Sequence, residues 1–478
     1  MRTKSGAIFT EIAIKKEDFM NKLVKAGEVF KLGELLHELT CAVAYATTVP
    51  AFAQKVSEAL VAESNMGIAD DKVKKMYGKI KGSYFQMKDK KSVGLIDVDE
   101  KMGMETYAKP MGVIGAIIPV TNGEATPVVK SLMALKTRNA IILAPHPKAR
   151  NTNVLVVEKV REVLKKLGAP EDLVQYIEPE YVSVECSGQL MKQVDFILAT
   201  GGTPMVRQAY SSGNPAIGVG TGNVVSIIDG TTDLDVTADM IVRSKTFDHA
   251  TSCSTENNLI VLEECYDAFM DAMARHGGYL IKEGTPEKDR LMHTLWPETP
   301  ANHNLNRHIV AQGAKTIAKA AEIDVPADTK MLMAEENGGY GNEFPFTGEK
   351  LSPVSGVRKA KDFNDAVDKM MKILEYQGKG HSCGIHTTKK DRVTKLSEVM
   401  PVCKVCVNQP QSLTNSGSWT CGFPISMTLG CGTWGHNSIS HNATYKDLLN
   451  FTYVSREIPS FQPKDEDLFD AKIIAKLK

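Results

Sequence analysis

The sequence has no surplus of charge of either sign and no long apolar segment. Among its 478 residues, 57 Lys and Arg balance 57 Asp and Glu, so the formal net charge is zero. A protein that binds nucleic acid by neutralising phosphates needs a basic surplus, and we therefore expect no nucleic-acid partner. No apolar run reaches the roughly 18 residues that a membrane-spanning helix requires, so we expect no membrane partner either.

The sequence also lacks a signal-peptide pattern and a disulfide framework. Glu and Lys interrupt the short apolar stretches of residues 1–19, which is not typical of a secretory signal. The nine cysteines are odd in number and irregularly spaced. The chain is long enough for roughly two or three domains, each with its own core, and does not need disulfides for stability. We therefore predict reduced thiols and a cytoplasmic location.

A helical pattern dominates the chain before about residue 100. Phe19, Leu23 and Val24, and later the apolar positions of 35–43, recur at helical spacing. This pattern predicts a helical layer that covers another part of the molecule. The Lys-rich segment 72–91 is interpreted as a solvent-exposed face.

From Tyr107 onward, apolar segments of strand length alternate with helical ones. The predicted strands are residues 112–120, 140–143, 173–177 and 194–199. The predicted helices begin with Thr126 as N-cap, at Asn151 or Thr152, and at Pro204. Strand–helix–strand repeats of this kind form parallel, doubly wound sheets, so the predicted fold class is α/β.

Two loops at the carboxyl ends of predicted strands have the composition of a phosphate site. They are Ala-Thr-Gly-Gly at 199–202 and Gly-Val-Gly-Thr-Gly-Asn at 218–223. Open α/β sheets bind ligands at this edge, where backbone N–H groups and a helix dipole favour phosphate. Neither loop has the Gly-x-Gly-x-x-Gly fingerprint, and glycines after strands also form simple turns. A dinucleotide site and a pair of ordinary turns both fit these residues.

Cys253 differs from the other cysteines in its surroundings. It lies in a run of small polar residues, Thr-Ser-Cys-Ser-Thr at 251–255, just before a predicted strand. A thiol on a polar turn is a candidate nucleophile. Free cysteines are more often buried packing residues, an interpretation that we give to Cys41, Cys265, Cys383, Cys403 and Cys406. The last two form a C-x-x-C pair with no second ligand pair nearby, so no metal site is expected.

The segment around Cys253 resembles the nucleophile segment of the CoA-acylating aldehyde dehydrogenases, a branch of the aldehyde dehydrogenase superfamily. The resemblance extends over roughly residues 20–455. Its motifs include Pro-Val-Thr-Asn at 119–122, Ala-Pro-His-Pro-Lys-Ala at 144–149, Ala-Thr-Gly-Gly at 199–202, Glu-Lys-Leu-Ser-Pro at 349–353 and Leu-Gly-Cys-Gly-Thr-Trp-Gly at 429–435. Several of these motifs, the last above all, are specific to the acylating branch.

This resemblance implies an aldehyde dehydrogenase-like architecture of two doubly wound parallel-sheet domains plus a small oligomerisation arm. A dinucleotide-binding domain with the N-terminal helical layer is expected at 1–230, and a catalytic domain with the nucleophilic cysteine at 231–435. Residues 436–478 are expected to return to the first domain and to end in a tail or oligomerisation segment. Within that tail, 465–478 could form a helix that docks on a partner subunit or frays. A homodimer or homotetramer is expected from the family.

The resemblance also implies roles for individual residues. Cys253 would attack the aldehyde carbonyl, and Asn122 would stabilise the oxyanion that forms. Hydride transfer to NAD or NADP would then leave a thioester on Cys253. His381 matches a histidine near the nucleophile in acylating members, and a catalytic and a structural role both stay open.

Further residues are expected to bind the cofactor, and Glu349 among them matches the glutamate that holds the nicotinamide ribose. The expected cofactor-binding residues are Thr121, Ala144, His146, Pro147, Thr200, Gly201, Gly202, Val219, Gly220, Glu349 and Leu351. NAD-preferring relatives often carry a Glu near the position of Pro147, where this chain continues with Lys148 and Arg150. A repulsive carboxylate is therefore absent there, and both NAD and NADP stay open.

The absence of one carboxylate favours transfer of the acyl group to a thiol over hydrolysis of the thioester. Hydrolytic members carry a Glu in a Glu-Leu-Gly-Gly segment, and this Glu activates water against the thioester. The matching segment here, 218–222, contains no carboxylate. A thiol, coenzyme A, is therefore the expected acyl acceptor, and the expected reaction converts aldehyde, CoA and NAD(P)+ reversibly to acyl-CoA and NAD(P)H. The alternatives are a hydrolytic dehydrogenase and a catalytically inactive nucleotide-binding protein.

In this family the segment after the predicted strand 404–408 reads the side chain of the aldehyde. Here residues 409–423 are rich in hydroxyl and amide groups, which suit an anionic tail. The candidate substrate residues are Asn415, Ser416 and Ser418. The resemblance is greatest to members that act on succinate semialdehyde or sulfoacetaldehyde, and we favour sulfoacetaldehyde. The alternatives are acetaldehyde or propionaldehyde as substrate, and a loop whose polar groups bond only to its own backbone.

Overall fold

The computed structural model describes residues 29–299 and 303–477, and these contain three β-sheets with helices packed around them. The patterns at residues 1–19 and at Phe19, Leu23 and Val24 lie outside the described residues. The strands are β1 Gly94–Asp99, β2 Met104–Pro110, β3 Val113–Ile118, β4 Ala140–Pro145, β5 Val174–Tyr176, β6 Phe196–Thr200, β7 Ala216–Val219, β8 Val224–Ile228, β9 Glu256–Leu262, β10 Gly278–Ile281, β11 Met331–Glu335, β12 Val354–Ala360, β13 Cys383–His386, β14 Val405–Val407 and β15 Leu449–Ser455.

The α-helices alternate with most of these strands. They are α1 Val29–Thr47, α2 Pro50–Ser64, α3 Ala69–Met87, α4 Thr126–Lys136, α5 Arg150–Lys166, α6 Val184–Gln193, α7 Thr203–Tyr210, α8 Leu234–Thr246, α9 Tyr266–Arg275, α10 Pro286–Leu295, α11 Ala314–Ala320, α12 Phe363–Tyr376, α13 Lys390–Val399, α14 Gln411–Thr414, α15 Asp465–Leu468 and α16 Ala471–Ile474.

The first sheet has five parallel strands in the order β5-β4-β3-β6-β7. Side chains of β3 point alternately to the two faces of the sheet. Ile114 belongs to the hydrophobic core on one face, and Ile117 belongs to the core on the opposite face. Because helices cover both faces, every residue of β3 and β4 is buried, which explains their unbroken apolar runs. The predicted doubly wound α/β sheet is confirmed.

Some predicted helix ends differ from the structure by a residue or two. Ala125, not Thr126, occupies the N-cap of α4, and Pro127 lies in the first turn. Helix α5 begins at Arg150, just before the predicted Asn151 or Thr152.

The second sheet has seven parallel strands in the order β10-β11-β12-β9-β8-β13-β14. Helices on both faces again cover it, with Phe269 in one core and Phe346 in the other. Strand β8 belongs to this sheet, so the division between the two parallel sheets falls between Val219 and Val224. The expected domain boundary at 230 lies after that strand.

Helices α1 to α3 form a layer on the five-stranded sheet and share a core with it, in which Leu39 and Met76 accompany Leu132. The expected helical layer is therefore present. The solvent-exposed face expected from the Lys-rich segment 72–91 is wrong for Lys72 and Lys75, which are buried and form ion pairs with a carboxylate of another segment.

The third sheet is a small antiparallel one in the order β1-β2-β15, so the chain returns after residue 436 to pair with a strand that precedes the first parallel sheet. Beyond it, the segment 465–478 forms two four-residue helices instead of the single helix expected. Lys478 lies outside the described residues. None of the described helices has the length and hydropathy needed to cross a membrane.

Each of the nine cysteines, all within the described residues, has a free thiol. Cys265, Cys383 and Cys406 are buried, as the packing interpretation predicts. That interpretation is wrong for Cys41, which is exposed. In the part of the chain that the structure describes, no cluster of His, Cys, Asp or Glu side chains could hold a metal ion.

Candidate active site

Cys253 lies in a short connection between helix α8 and strand β9, immediately after a strained turn. Asp248, His249 and Ala250 have φ angles of 50°, 50° and 59°, all in the left-handed region that side chains with a Cβ rarely adopt. Such strain persists only where surrounding contacts hold it in place. Cys253, which follows this turn, shares a pocket with Asn122, Thr200 and Val219 at the carboxyl ends of strands of the five-stranded sheet.

The carboxylate of Asp248 holds this turn in place. Its Oδ1 accepts from the backbone N–H of Ile68 at 2.7 Å, and its Oδ2 accepts from Lys72 Nζ at 2.9 Å and Lys75 Nζ at 2.6 Å. The Thr251 hydroxyl donates to the same oxygen at 2.6 Å. Burial alone would raise the pKa of Asp248, but the two ammonium groups and these hydrogen bonds outweigh it and lower the pKa to about 2.

Gly222 lies directly against the backbone of Cys253. A Cβ at position 222 would be 2.1 Å from the Cys253 carbonyl oxygen and 3.1 Å from the Cys253 Cβ. Contacts this short to backbone atoms cannot be relieved by a side-chain rotation. Residue 222 must therefore be glycine for Cys253 to keep its position.

The thiol of Cys253 lies 3.2 Å from Nε2 of His381, so the structure brings these two predicted residues together. His381 is buried, and its Nδ1 lies 2.8 Å from the Ser382 hydroxyl, which also accepts from the amide of Asn415. When Nδ1 carries the ring proton and donates to Ser382, Nε2 is free to accept the proton of the thiol. Asn415, predicted to contact substrate, instead lies behind the histidine.

Electrostatics favour the neutral forms of both partners. Burial, and then the charge of Glu349, raises the pKa of the Cys253 thiol well above its ordinary value. Burial, and then the charge of Lys404, lowers the pKa of His381 to about 3. The resting pair is therefore a thiol beside a neutral imidazole.

Asn122 ends the short turn Val120–Asn122 after strand β3, on the other side of the same pocket. Its Oδ1 accepts from Lys75 Nζ at 2.6 Å, and its Nδ2 donates to the Thr121 hydroxyl at 3.1 Å. The lysine therefore fixes which end of the amide is the oxygen, and one N–H of Nδ2 remains for another acceptor.

The pocket in front of Cys253 is small and rich in hydroxyl groups. Two predicted cofactor residues, Thr200 and Val219, and the predicted substrate residue Ser416 contribute to its wall. Ser418 does not, and its hydroxyl lies 3.1 Å from that of Thr420. The lining residues that were not among the predicted site residues are Lys75, Phe247, Thr251, Ser252, Ser412, Ser426, Met427 and Leu429.

The other predicted cofactor residues lie in separate loops of the two parallel sheets. Gly202 is the N-cap of α7, with Gly201 before it and Gly220 on the neighbouring loop. Ala144 is buried near the carboxyl end of β4, and His146 and Pro147 are exposed just beyond it.

Glu349 and Leu351 approach from the seven-stranded sheet. Leu351 has a φ of 42°, and its carbonyl accepts from the Ala311 N–H at 2.7 Å. Oε1 of Glu349 is buried without a hydrogen-bond partner among the described residues. Burial raises the pKa of Glu349 to about 8, against the opposing effects of Lys245 and of a hydrogen bond from the Gly222 N–H. A buried carboxyl oxygen without a hydrogen-bond partner fits a ligand hydroxyl, such as that of a nucleotide ribose.

The chain is similar to known proteins over most of its length. The aldehyde dehydrogenase family model matches residues 51–324. The chain is 44% identical over 416 residues to a sulfoacetaldehyde dehydrogenase of Acholeplasma sp., covering 87% of this chain and 85% of that protein. It is 37% identical over 416 residues to a succinate-semialdehyde dehydrogenase (acetylating) of Clostridium kluyveri, covering 86% and 90%. Among solved structures, an acetylating aldehyde dehydrogenase from Geobacillus thermoglucosidasius superposes with a TM-score of 0.85 at 31% identity, covering 97% of this chain and all of that one.

Proposed function

Since this chain belongs to the aldehyde dehydrogenase family, we propose that the pocket in front of Cys253 is its active site and that its substrate is a small anionic aldehyde. Within the family the chain is an acylating aldehyde dehydrogenase, an oxidoreductase that uses NAD or NADP and coenzyme A. The observation that carries the proposed site is the 3.2 Å contact between Cys253 Sγ and His381 Nε2 in a pocket that also contains Asn122.

The first step is attack of Cys253 Sγ on the aldehyde carbon. His381 Nε2 accepts the thiol proton as the carbon–sulfur bond forms and the electrons of the carbonyl π bond move to oxygen. The free N–H of Asn122 Nδ2 donates to the resulting oxyanion. The product of this step is a thiohemiacetal oxyanion on Cys253, with the thiol proton on His381.

The second step oxidises that adduct. Glu349 would hold the cofactor through a ribose hydroxyl. Gly201 and Gly202 would hold it through a phosphate. A bound NAD or NADP would supply the hydride acceptor that oxidation of the adduct to a thioester requires.

In the last step the sulfur of coenzyme A forms a bond to the acyl carbon and the bond between that carbon and Cys253 Sγ breaks. Cys253 takes the proton of the CoA thiol, and the proton that His381 accepted in the first step is released to solvent. Segment 218–222 offers no carboxylate to activate water, and its Gly222 backbone lies against the nucleophile. Water is therefore a poor competitor, because nothing in that segment would deprotonate it. A CoA thiol needs less activation, since it ionises near neutral pH more readily than water.

The pocket wall supports an anionic aldehyde, with sulfoacetaldehyde favoured over succinate semialdehyde. Its hydroxyl-bearing residues are Thr200, Thr251, Ser252, Ser412, Ser416 and Ser426. The hydroxyl groups of Thr251, Ser412 and Ser426 already donate to Asp248, the Ser244 carbonyl and the Thr428 carbonyl. Those of Thr200, Ser252 and Ser416 can donate to a ligand, and hydroxyl donors suit a sulfonate or a carboxylate better than an alkyl chain.

A substrate panel tests this proposal. Purified enzyme with CoA would be given sulfoacetaldehyde, succinate semialdehyde, acetaldehyde and propionaldehyde, each with NAD and with NADP. We expect kcat/KM for an anionic aldehyde to exceed that for acetaldehyde by about 100-fold, the difference that roughly 3 kcal/mol of transition-state binding gives. A higher kcat/KM for acetaldehyde would contradict the proposal. Cys253→Ser serves as the control, since it should bind cofactor and lack turnover.

We also propose that the small antiparallel sheet is an oligomerisation arm and that the protein works as a homodimer or homotetramer in the cytoplasm. Leu95, Val98, Phe451 and Tyr453 of that sheet are exposed apolar side chains, which is typical of a surface that another subunit covers. The free thiols support a reducing compartment.

A further inference from the structure

Lys75 contacts the nucleophile loop and the oxyanion-stabilising residue at the same time. Its Nζ lies 2.6 Å from Asn122 Oδ1 and 2.6 Å from Asp248 Oδ2. Asn122 follows a strand of the five-stranded sheet, whereas Asp248 precedes a strand of the seven-stranded sheet. One ammonium group therefore links the two halves of the site.

The charges around Lys75 keep it protonated. Lys72 and Lys75 lie one helical turn apart on α3, and they face the buried carboxylates of Asp248 and Glu124. Glu124 Oε1 lies 3.2 Å from Lys75 Nζ. Burial alone would lower the pKa of Lys75, but the charges of Asp248 and Glu124 outweigh it and raise the pKa. Lys75 is therefore a cation at every pH at which the protein would work.

We propose that Lys75 is a positioning residue that orients and polarises the side-chain amide of Asn122 for oxyanion stabilisation. A charge-assisted hydrogen bond to the amide oxygen directs the amide nitrogen away from Lys75 and towards the pocket. It also withdraws electron density from the amide, which makes the remaining N–H a stronger donor. This inference rests on the proposed role of Asn122.

A contact made only to hold the fold together would have a different consequence. The buried ion pairs would then matter for stability, and the effect of replacing Lys75 on kcat would be the same whether or not Asn122 is present. Lys72 provides the comparison within the same helix, since it binds Asp248 at 2.9 Å and the Thr121 carbonyl at 3.2 Å without contacting Asn122.

A double-mutant cycle tests the proposal. We expect Lys75→Met and Asn122→Ala each to lower kcat by about 100-fold, the usual effect of losing one oxyanion donor. The double variant should be no slower than Asn122→Ala alone, to within about threefold, because Lys75 acts through Asn122. The effects of Lys72→Met and Asn122→Ala on kcat should multiply, because Lys72 does not contact Asn122. Multiplicative effects of Lys75→Met and Asn122→Ala, or a normal kcat in either single variant, would overturn the inference.

The reactivity of the thiol provides a second readout. Alkylation of Cys253 by iodoacetamide forms no oxyanion, so its rate in Lys75→Met should stay within about threefold of the unsubstituted protein. An alkylation rate that falls as far as kcat would show that Lys75 acts on the nucleophile and would overturn the proposal. If Lys75→Met does not fold, Lys75→Met with Glu124→Gln keeps the buried charges balanced and takes its place in the cycle.

The outcome for Cys253→Ser separates this inference from the proposed function. If Cys253→Ser has no turnover but the cycle is multiplicative, only the role of Lys75 fails. If Cys253→Ser retains turnover, the proposed active site fails. Lys81→Met, an exposed substitution on the same helix, should leave kcat unchanged in either case.

Discussion

At the scale of single residues, the resting nucleophile is a protonated thiol rather than a thiolate. Burial and the charge of Glu349 oppose ionisation of Cys253, and His381 is neutral because burial lowers its pKa to about 3. Proton transfer to His381 therefore accompanies carbon–sulfur bond formation instead of preceding it.

The pH dependence of alkylation follows from these pKa directions. Protonation of His381 would remove the acceptor for the thiol proton, and the acceptor is lost only as pH falls through about 3. In the cofactor-free protein, the rate of Cys253 alkylation should therefore show no inflection near the ordinary histidine pKa of about 6.5. The rate of alkylation by iodoacetamide, measured at several pH values from about 5 to 8, would test this prediction. An inflection near 6.5 that His381→Ala abolishes would contradict this assignment.

The roles of individual residues could be predicted where a short sequence motif marked them. Cys253 was indicated by its run of small polar neighbours, and Asn122 and His381 by the family resemblance, and the structure places all three together. Lys75 could not be predicted, because a Lys-rich helix reads as a solvated surface. Its partner, Asp248, lies 173 positions away in the sequence, so only tertiary structure brings the carboxylate to it.

At the scale of elements, helix α3 and the turn before Cys253 stabilise each other. The turn places three left-handed residues in a row, and α3 supplies both ammonium groups that bind Asp248. A Cβ at Gly67, just before α3, would lie 2.0 Å from Asp248 Oδ1, so the two segments also fit closely in shape.

Removing the Asp248 charge should destabilise the protein strongly. Asp248→Asn leaves two buried ammonium groups facing only Glu124, and loss of one partner of a buried ion pair costs about 3–5 kcal/mol. Urea unfolding would measure the free energy. The partly exposed Asp239, which pairs with Arg243, provides the control Asp239→Asn, whose effect should be small.

The same residue should affect the stability at acid pH. The pKa of Asp248 is lowered in the folded state, so its contribution is complete above its ordinary pKa of about 4 and is lost as pH falls through about 2. The decline of unfolding free energy over that window should be shallower in Asp248→Asn. An equal decline in both proteins would assign the acid sensitivity to other groups.

Strand and helix patterns were predictable where burial on both faces produced continuous apolar runs, as in β3 and β4. The residues at which helices begin and end were less predictable. Thr126 has the side chain of an N-cap, but the chain is already helical there because Ala125 takes that position without a side-chain bond. In the tail, the apolar residues from Leu468 to Leu477 predicted one helix. Leu468, Ile473 and Leu477 are exposed, so no tertiary packing stabilises a helix longer than the two short ones that form.

At the scale of the whole molecule, the active site belongs to no single segment. Lys75 comes from the helical layer, Asn122 from the five-stranded sheet, Cys253 from the seven-stranded sheet and Ser416 from the loop after β14. The parallel sheets were predictable from their strand–helix rhythm. Their relative placement was not, since it depends on contacts between residues far apart in sequence.

The proposed oligomerisation arm gives a prediction at this scale. Phe451 and Tyr453 are 40% and 62% exposed on β15. Replacing both with Glu should dissociate the assembly, because burying two carboxylates in an apolar interface is unfavourable. Analytical ultracentrifugation would detect the smaller species. Val236→Glu, at another exposed apolar site, should leave the mass unchanged, and an unchanged mass in the arm variant would place the interface elsewhere.

The glycines beside the nucleophile limit how this enzyme could evolve into a hydrolase. A Cβ at Gly222 would collide with the Cys253 carbonyl, and one at Gly218 would lie 2.7 Å from Val206 on helix α7. At either position, a new glutamate would displace the nucleophile or its supporting helix before it could recruit water. Of the three glycines in segment 218–222, Gly220 has room for a side chain, with its nearest neighbouring atom at 3.9 Å. Engineering a carboxylic-acid product by a glutamate at position 218 or 222 therefore requires compensating substitutions in the surrounding packing.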